Sequence, residues 1–272
     1  MKQLSPKIPD RKQTYALVLG VILLLYLGSA YLTEFRLTEG LASFPDAFSW
    51  IITNLIPDEK AISRVPKILS KLLETALLSV SVTVFASSAA FFFSLLGTGI
   101  TKTPAIVRCL VRMVAAFFRN VPDVVWAMLL MFSFGQNILT GFLALFFTTF
   151  GQLTRAFIET IDAVCGSSVE ALKAAGANYL QCVFQAIIPS SLPGIVSWVL
   201  YMIETNIRSS TLIGMLTATG IGYLFDMYYK SIQFPSAGLI VLFVVVLVIL
   251  IIVNVYGARQ EKQQQKRYAS YL

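Results

Sequence analysis

Six apolar stretches, separated by polar segments, dominate the hydrophobic pattern of the chain. A helix that crosses about 30 Å of hydrocarbon needs roughly 20 predominantly apolar residues. We therefore predict membrane-spanning helices at about residues 15–33, 72–96, 121–136, 138–158, 194–215 and 237–256. Only Gly135-Gln136-Asn137 separates the third from the fourth, so a single broken hairpin is an alternative there.

Composition agrees with this pattern. Hydrophobic residues make up 57% of the 272 residues and charged residues 13%, whereas soluble domains carry about a quarter charged residues. The fold class that we expect is an all-α integral membrane protein with six transmembrane helices. The net charge of +7 does not indicate nucleic-acid binding, because the basic residues collect beside apolar spans.

The distribution of Lys and Arg predicts the orientation. Most of them fall on one side when a cytoplasmic N-terminus (1–14), the 97–121 and 155–182 loops and a basic tail (257–272) share that side. The positive-inside rule then places both termini in the cytoplasm, with a permease domain over 15–256 in the cell membrane. Cleavage of the first span after Gly28-Ser29-Ala30 is an alternative, disfavoured because its apolar run exceeds the usual 7–15 residues of a signal peptide.

Several classes of enzyme are excluded. The chain has no histidine, and its three cysteines are too far apart to form a C-x-x-C pair. It also contains no G-x-x-x-x-G-K-S/T motif, so it has no ATPase site of its own. We expect neither a catalytic residue nor a metal site.

Two segments are amphipathic and too short to span. In 104–118, Arg108 and Arg112 lie four residues apart, which predicts a helix at the cytoplasmic interface. Segment 41–56 mixes aromatic residues with turn formers; it either rests on the outer surface or forms a partly ordered loop.

The polar segment 166–189 interrupts the apolar pattern between the fourth and fifth spans. Ser167 and Glu170 have the spacing of an S-x-x-E capping box, which predicts the start of a helix. Gly176 is expected to end that helix in a left-handed conformation. A second helix follows, and Pro189 is expected to stop it. The sequence thus predicts a cytoplasmic pair of helices.

This segment resembles the cytoplasmic signature of ABC importer permeases, E-A-A, three residues, G, nine residues, then I-x-L-P. Glu170-Ala171, Gly176 and Ile188-Pro189 match it, whereas Leu172 and Ala186 replace the expected alanine and isoleucine. The resemblance implies a coupling helix that docks on an ATPase subunit. By the same resemblance the contact residues would be Glu170, Ala171, Ala174 and Gly176.

The fifth span is unusual because polar side chains lie near its middle: Glu204, Asn206, Arg208, Ser209 and Thr211. A charge at the bilayer centre costs about 2.5–3.5 kcal/mol on insertion scales, so these side chains should face protein or water. Glu204 and Arg208 could neutralise each other and fasten the helix. Alternatively, these polar side chains form a stripe that lines a water-filled route for the solute, where the guanidinium of an arginine would suit an oxyanion.

The run from Glu204 to Gly214, followed by Gly220-Ile221-Gly222, resembles phosphonate-import permeases. Arg119-Asn120-Val121-Pro122-Asp123-Val124-Val125-Trp126-Ala127 resembles the R-x-x-P-E-L-V-W-A sequence of that family. Thr217 and Thr219 replace small residues of the family's glycine-rich turn. The second span carries small residues at steps of three or four, which favour tight packing over the alternative of solute contact: Thr75, Ser79, Thr83, Ser87 and Ala90.

The resemblance, which covers about residues 70–256, implies a type I ABC importer permease core. It further implies two cytoplasmic ATP-binding subunits, a second permease copy, an extracytoplasmic solute-binding protein and surrounding lipid. ATP would be bound by the partner subunits, and the chain itself would need no cofactor. The expected solute is a phosphonate or a related phosphorus oxyanion such as phosphite. A permease for another solute such as an amino acid, or a secondary transporter, is the alternative.

Overall fold

The computed structural model describes residues 11–101 and 103–269, with side chains omitted for residues 13 and 254–269. The first ten residues of the predicted cytoplasmic N-terminus, the side chains of the predicted basic tail and residues 270–272 therefore lie outside the description. The helices are α1 Arg11–Leu32, α2 Leu37–Ala42, α3 Phe44–Leu55, α4 Glu59–Ser63, α5 Val65–Gly97, α6 Ala105–Asn120, α7 Asp123–Phe134, α8 Ile138–Val164, α9 Gly166–Ala174, α10 Tyr179–Cys182, a π-helical segment Val183–Ile187, α11 Ile188–Thr217, α12 Gly220–Lys230 and α13 Phe234–Ala269. No strand occurs among the described residues, which confirms the all-α prediction.

Five helical segments in the described ranges are long and apolar enough to cross a membrane. They are Thr14–Leu32, Val65–Gly97, Ile138–Val164, Tyr179–Thr217 and Phe234–Val253. A sixth span results if α6 and α7, which meet at an angle of 88°, are taken together.

The predicted third span, 121–136, corresponds to the short helix α7. Its 12 residues extend about 18 Å at 1.5 Å per residue, short of the hydrocarbon thickness. The bend that separates it from α6 lies at Val121-Pro122. Val121 is extended (φ −91°, ψ 120°), as expected for a residue before proline.

The first of two compact units covers Met1–Asn54. It contains the membrane helix α1, then α2 and most of α3. Segment 41–56, for which a loop was one alternative, is mostly helical.

In the second unit, Leu55–Leu272, helices α5, α8 and α11 pack against one another. Helices α6 and α7 lie on α8, and α12 contacts α5, α11 and α13. One apolar cluster between these three helices includes Ala86 and Ala90 of α5, Phe157 of α8 and Met202 of α11. Of the small residues on the second span, Thr75, Ser79, Thr83 and Ala90 are buried, which confirms tight packing.

Helices α11 and α12 touch almost backbone to backbone. A Cβ atom on Gly222 would lie 1.9 Å from the carbonyl oxygen of Thr211, so only glycine fits there. This close approach fixes the N-terminus of α12 beside α11 and α5. Close packing of the helices therefore explains the glycines of the Gly220-Ile221-Gly222 sequence.

Candidate functional site

Helix α9 presents a flat, exposed surface of small residues. The predicted docking residues Glu170, Ala171, Ala174 and Gly176 are all exposed. On the opposite side Val169 is only 1% exposed and packs into an apolar cluster with residues of α8, α10, the π-helical segment and α11. The base of α9 is therefore fixed, while its outer face is free among the described residues to bind another surface.

The predicted left-handed end of α9 is confirmed. Gly176 has φ +84°, and its N–H donates to the carbonyl of Lys173 at 3.0 Å. The N–H of Ala177 donates to the carbonyl of Leu172, also at 3.0 Å. These two bonds form a Schellman motif, which turns the chain sharply after the exposed surface.

The predicted capping box at Ser167 and Glu170 is wrong. Helix α9 begins at Gly166, so Ser167 is already inside it, and Cys165 at the N-cap makes no side-chain capping bond. Cys165 also ends α8, with nearly helical angles of φ −105° and ψ −5°. Because this single residue joins the two helices, Ser167 has no extended N-cap position to occupy.

Pro189 does not stop the second helix. Helical structure continues from Tyr179 to Thr217, and a π-helical segment, Val183–Ile187, precedes the proline. Pro189 lies in the first turn of α11, where the missing N–H is tolerated. The wider π turn changes the hydrogen-bonding register just before the proline, so the chain continues without a break.

Burial raises the pKa of the Cys165 thiol, and the carboxylate of Asp162 raises it further. The thiol also donates to the carbonyl of Ile187 at 3.7 Å. Cys165 therefore packs as an inert residue at the base of the helix pair.

The polar residues of α11 lie on two faces. Asn206 is 3% exposed and faces the helix contacts. Its Nδ2 donates to Oγ1 of Thr83 on α5 at 2.9 Å, and its Oδ1 accepts from Oγ1 of Thr149 on α8 at 3.1 Å. Beside it, the hydroxyls of Ser79 and Ser210 lie 2.9 Å apart. Asn206 thus connects three helices.

The other face of α11 carries the charge pair. Arg208 Nη2 lies 3.1 Å from Glu204 Oε1, and their side chains are 56% and 17% exposed. Thr211 lies on the same side, and its hydroxyl bonds to its own helix. Ser209 is half-buried between the two faces. The structure therefore brings Glu204, Arg208 and Thr211 together and places Asn206 opposite them.

A cavity of about 340 Å³ borders α5, α8, α11 and α12. Its polar lining includes Glu74, Ser81 and Ser210. Glu74 accepts from the N–H of Gly220 at 3.2 Å and from Nζ of Lys71 at 2.6 Å. Sequence reasoning missed Glu74, although an acidic residue near the start of an apolar span was a signal for it.

Residues 94–262 match the family described as binding-protein-dependent transport system inner membrane component. The chain is 28% identical over 173 residues to the phosphate-import permease protein PhnE of Mycolicibacterium smegmatis and 28% over 174 residues to the phosphite transport system permease protein PtxC of Stutzerimonas stutzeri. These matches cover 63% and 64% of this chain, but 32% and 63% of the relatives. Over 104 residues it is 36% identical to an Escherichia coli K12 protein named as a cryptic phosphonate transport system permease, covering 38% of this chain and 85% of that one.

Among solved structures, the chain is similar to one of the methionine ABC transporter MetNI in an inward-facing conformation. The TM-score is 0.64 at 17% identity, over 75% of this chain and 98% of that one. At 17% identity this similarity concerns the fold alone, and it confirms the fold predicted for the membrane-spanning part of the chain.

Proposed function

Because this chain belongs to the family of binding-protein-dependent transport system inner membrane components, we propose that it is the permease subunit of an ATP-driven importer for a phosphorus oxyanion. Its partners are two cytoplasmic ATP-binding subunits, which hold the nucleotide, a second copy of this chain and an external solute-binding protein. Phosphonate is the leading solute, with phosphite and phosphate next. The relatives whose names mention these anions support that choice.

The observation that carries the proposal is the exposed surface of α9. Glu170, Ala171, Ala174 and Gly176 form a surface without bulky side chains, on a helix whose base is anchored by Val169. A secondary transporter has no need of such a docking element. This surface supports binding of an ATPase on the cytoplasmic side, which agrees with the distribution of basic residues.

The exposed face of α11 supports the transport route. In lipid, the 56% exposed side chain of Arg208 would cost about 2.5–3.5 kcal/mol at the bilayer centre. A second copy of the chain, facing this stripe across a water-filled route, would remove that cost. The guanidinium of Arg208 then meets a phosphorus oxyanion with planar donors, while Glu204, Ser209 and Thr211 line the route beside it. The contacts of Asn206 support a packing role instead.

Two α9 variants test the docking surface. We expect Glu170→Lys or Gly176→Pro to leave the chain inserted in the membrane but to separate it from the ATPase on purification in detergent. Glu39→Lys, in exposed α2, is the control that changes the same charge elsewhere. Full association and transport in both α9 variants would contradict the proposal.

An Arg208→Ala variant tests the route. Uptake of radiolabelled methylphosphonate, phosphite and phosphate is measured in proteoliposomes that contain the ATPase and the binding protein. We expect loss of uptake in Arg208→Ala and normal uptake in Arg155→Ala, which breaks a similar i, i+4 pair with Glu159 on α8. Normal uptake by Arg208→Ala would remove that residue from the route, and uptake without ATP would identify a secondary transporter.

A further inference from the structure

Residues 98–101, the first part of the loop between α5 and α6, are bound by side chains from two other helices. Asp162, near the end of α8, accepts hydrogen bonds through Oδ1 from the hydroxyl of Thr98 and from the N–H of Gly99, the latter at 3.0 Å. Thr98 itself is fully buried. One carboxylate thus binds both a side chain and the backbone of the loop.

Arg112 of α6 completes this arrangement. Its Nη2 lies 3.1 Å from Oδ2 of Asp162, and its Nε donates to the carbonyl of Gly97, the last residue of α5, at 3.0 Å. The pair is partly exposed, at 51% and 33%, so the charge attraction alone stabilises little. Its significance is geometric, because the bonds join the middle of α6 to the ends of α5 and α8.

The coupling helix α9 reaches the same loop. Nζ of Lys173 donates to the carbonyl of Ile100 at 2.5 Å. The side chain of Ile100 packs against the apolar cluster to which Val169 and, at its edge, Leu172 also belong. Within the loop, the hydroxyl of Thr101 lies 3.2 Å from the carbonyl of Leu95. The loop is therefore held by α9 on one side and by α5 on the other.

We propose that Asp162 and Lys173 are positioning residues that transmit a displacement of α9 to α5 and α6 through loop 98–101. This inference rests on the proposed function, in which α9 is the site where the ATPase binds. A displaced α9 carries Lys173 and hence the carbonyl of Ile100 with it. Asp162 and Arg112 keep the loop joined to α8 and α6, so α5, α6, α8 and α9 move together at this point.

The inference predicts uncoupling rather than loss of assembly. We measure three quantities in the reconstituted complex: co-purification of the ATPase, ATP hydrolysis, and uptake of radiolabelled methylphosphonate and phosphite per ATP hydrolysed. Asp162→Leu, which removes both acceptor oxygens, and Lys173→Met keep most of the side-chain volume and should retain co-purification and hydrolysis. Uptake per ATP should fall by about fivefold or more, the lower end of typical couplings between sites.

Lys173→Arg should restore uptake per ATP, because arginine keeps a donor for the carbonyl of Ile100. Lys230→Met, which removes an exposed i, i+4 partner of Asp226 on α12, is the matched control and should behave as the unmodified chain. Hydrogen exchange of residues 98–101 gives an independent measurement. It should increase in Asp162→Leu while protection of α5 and α8 is kept.

The outcomes separate this inference from the proposed function. If the unmodified chain neither binds the ATPase nor transports, the proposed function fails. If the unmodified chain works and Asp162→Leu and Lys173→Met transport normally per ATP, only the transmission role fails. Loss of ATPase binding in Lys173→Met alone would make Lys173 a docking residue and overturn its role in transmission. Uptake per ATP that falls as far in Lys173→Arg as in Lys173→Met would overturn that role as well.

Discussion

Replacing Asn206 by alanine tests whether the two faces of α11 have different roles. The change removes the bonds to Thr83 and Thr149, at 2.9 and 3.1 Å, from a side chain that is 3% exposed. Interhelical hydrogen bonds in membrane proteins average about 0.6 kcal/mol each, so the two contribute about 1.2 kcal/mol. The space left by the carboxamide group, which exceeds a methyl group in size, adds about 1 kcal/mol or more.

We therefore expect Asn206→Ala to lower the free energy of unfolding by about 2 kcal/mol. Soluble domains of somewhat smaller size lose about 2–4 °C of melting temperature per kcal/mol, which suggests a decrease of about 4–8 °C. The measurement is thermal unfolding of the purified chain in detergent. Uptake per folded molecule should change little, because Asn206 does not share the face of Glu204 and Arg208.

Thr205→Ala is the matched control on the same helix. Among the described residues, the Thr205 hydroxyl bonds only to the carbonyl of Tyr201 one turn earlier, so its removal should change the free energy of unfolding by less than about 0.5 kcal/mol. If Asn206→Ala unfolds at the same temperature as Thr205→Ala, Asn206 has no large packing role. If Asn206→Ala unfolds at the temperature of the unmodified chain and no longer transports, the assignment of Asn206 to packing is also refuted.

Two further predictions concern thiol chemistry and close packing. At neutral pH a maleimide should modify exposed Cys109 and spare buried Cys165. The raised pKa of Cys165 keeps its thiol protonated, and the thiolate is the form that reacts. Equal labelling of the two cysteines, measured by mass spectrometry, would contradict this prediction. Gly222→Ala should destabilise the protein by about 3 kcal/mol or more, because its Cβ would clash with the Thr211 carbonyl oxygen. Gly40→Ala is the control in the same unfolding assay. It should be neutral or slightly stabilising, because nothing lies within 4 Å of the added Cβ.

Local features of the fold could be predicted from sequence. The left-handed end at Gly176 and the pair of Glu204 and Arg208 each depend on residues within one or two helical turns. Pro189 was misjudged because the rule that proline ends a helix ignores a preceding π-helical segment. The capping box failed for a related reason, since α8 continues almost directly into α9 at Cys165.

The division of α11 into two faces was accessible from spacing alone. Residues 206 and 208 are two apart, about 200° around a helix, and so cannot share a face. Which face is packed was not accessible, because it depends on Thr83 and Thr149, more than 50 positions away in sequence. The same holds for the bonds of Asp162 and Lys173 to loop 98–101, which cross gaps of 63 and 73 positions.

Two series of contacts connect α9 with the face of α11 that carries Glu204 and Arg208. Helical structure runs from Tyr179, just after α9, to Thr217, about 58 Å at 1.5 Å per residue, and carries Arg208 on its way. The second route passes from Lys173 through loop 98–101 into α5. Because Asn206 bonds to α5 and α8, both routes end at the same place. In the proposed function, a displacement of α9 by the ATPase would therefore reach the helices around Arg208 from two sides and move α11 together with its neighbours, as alternating access requires.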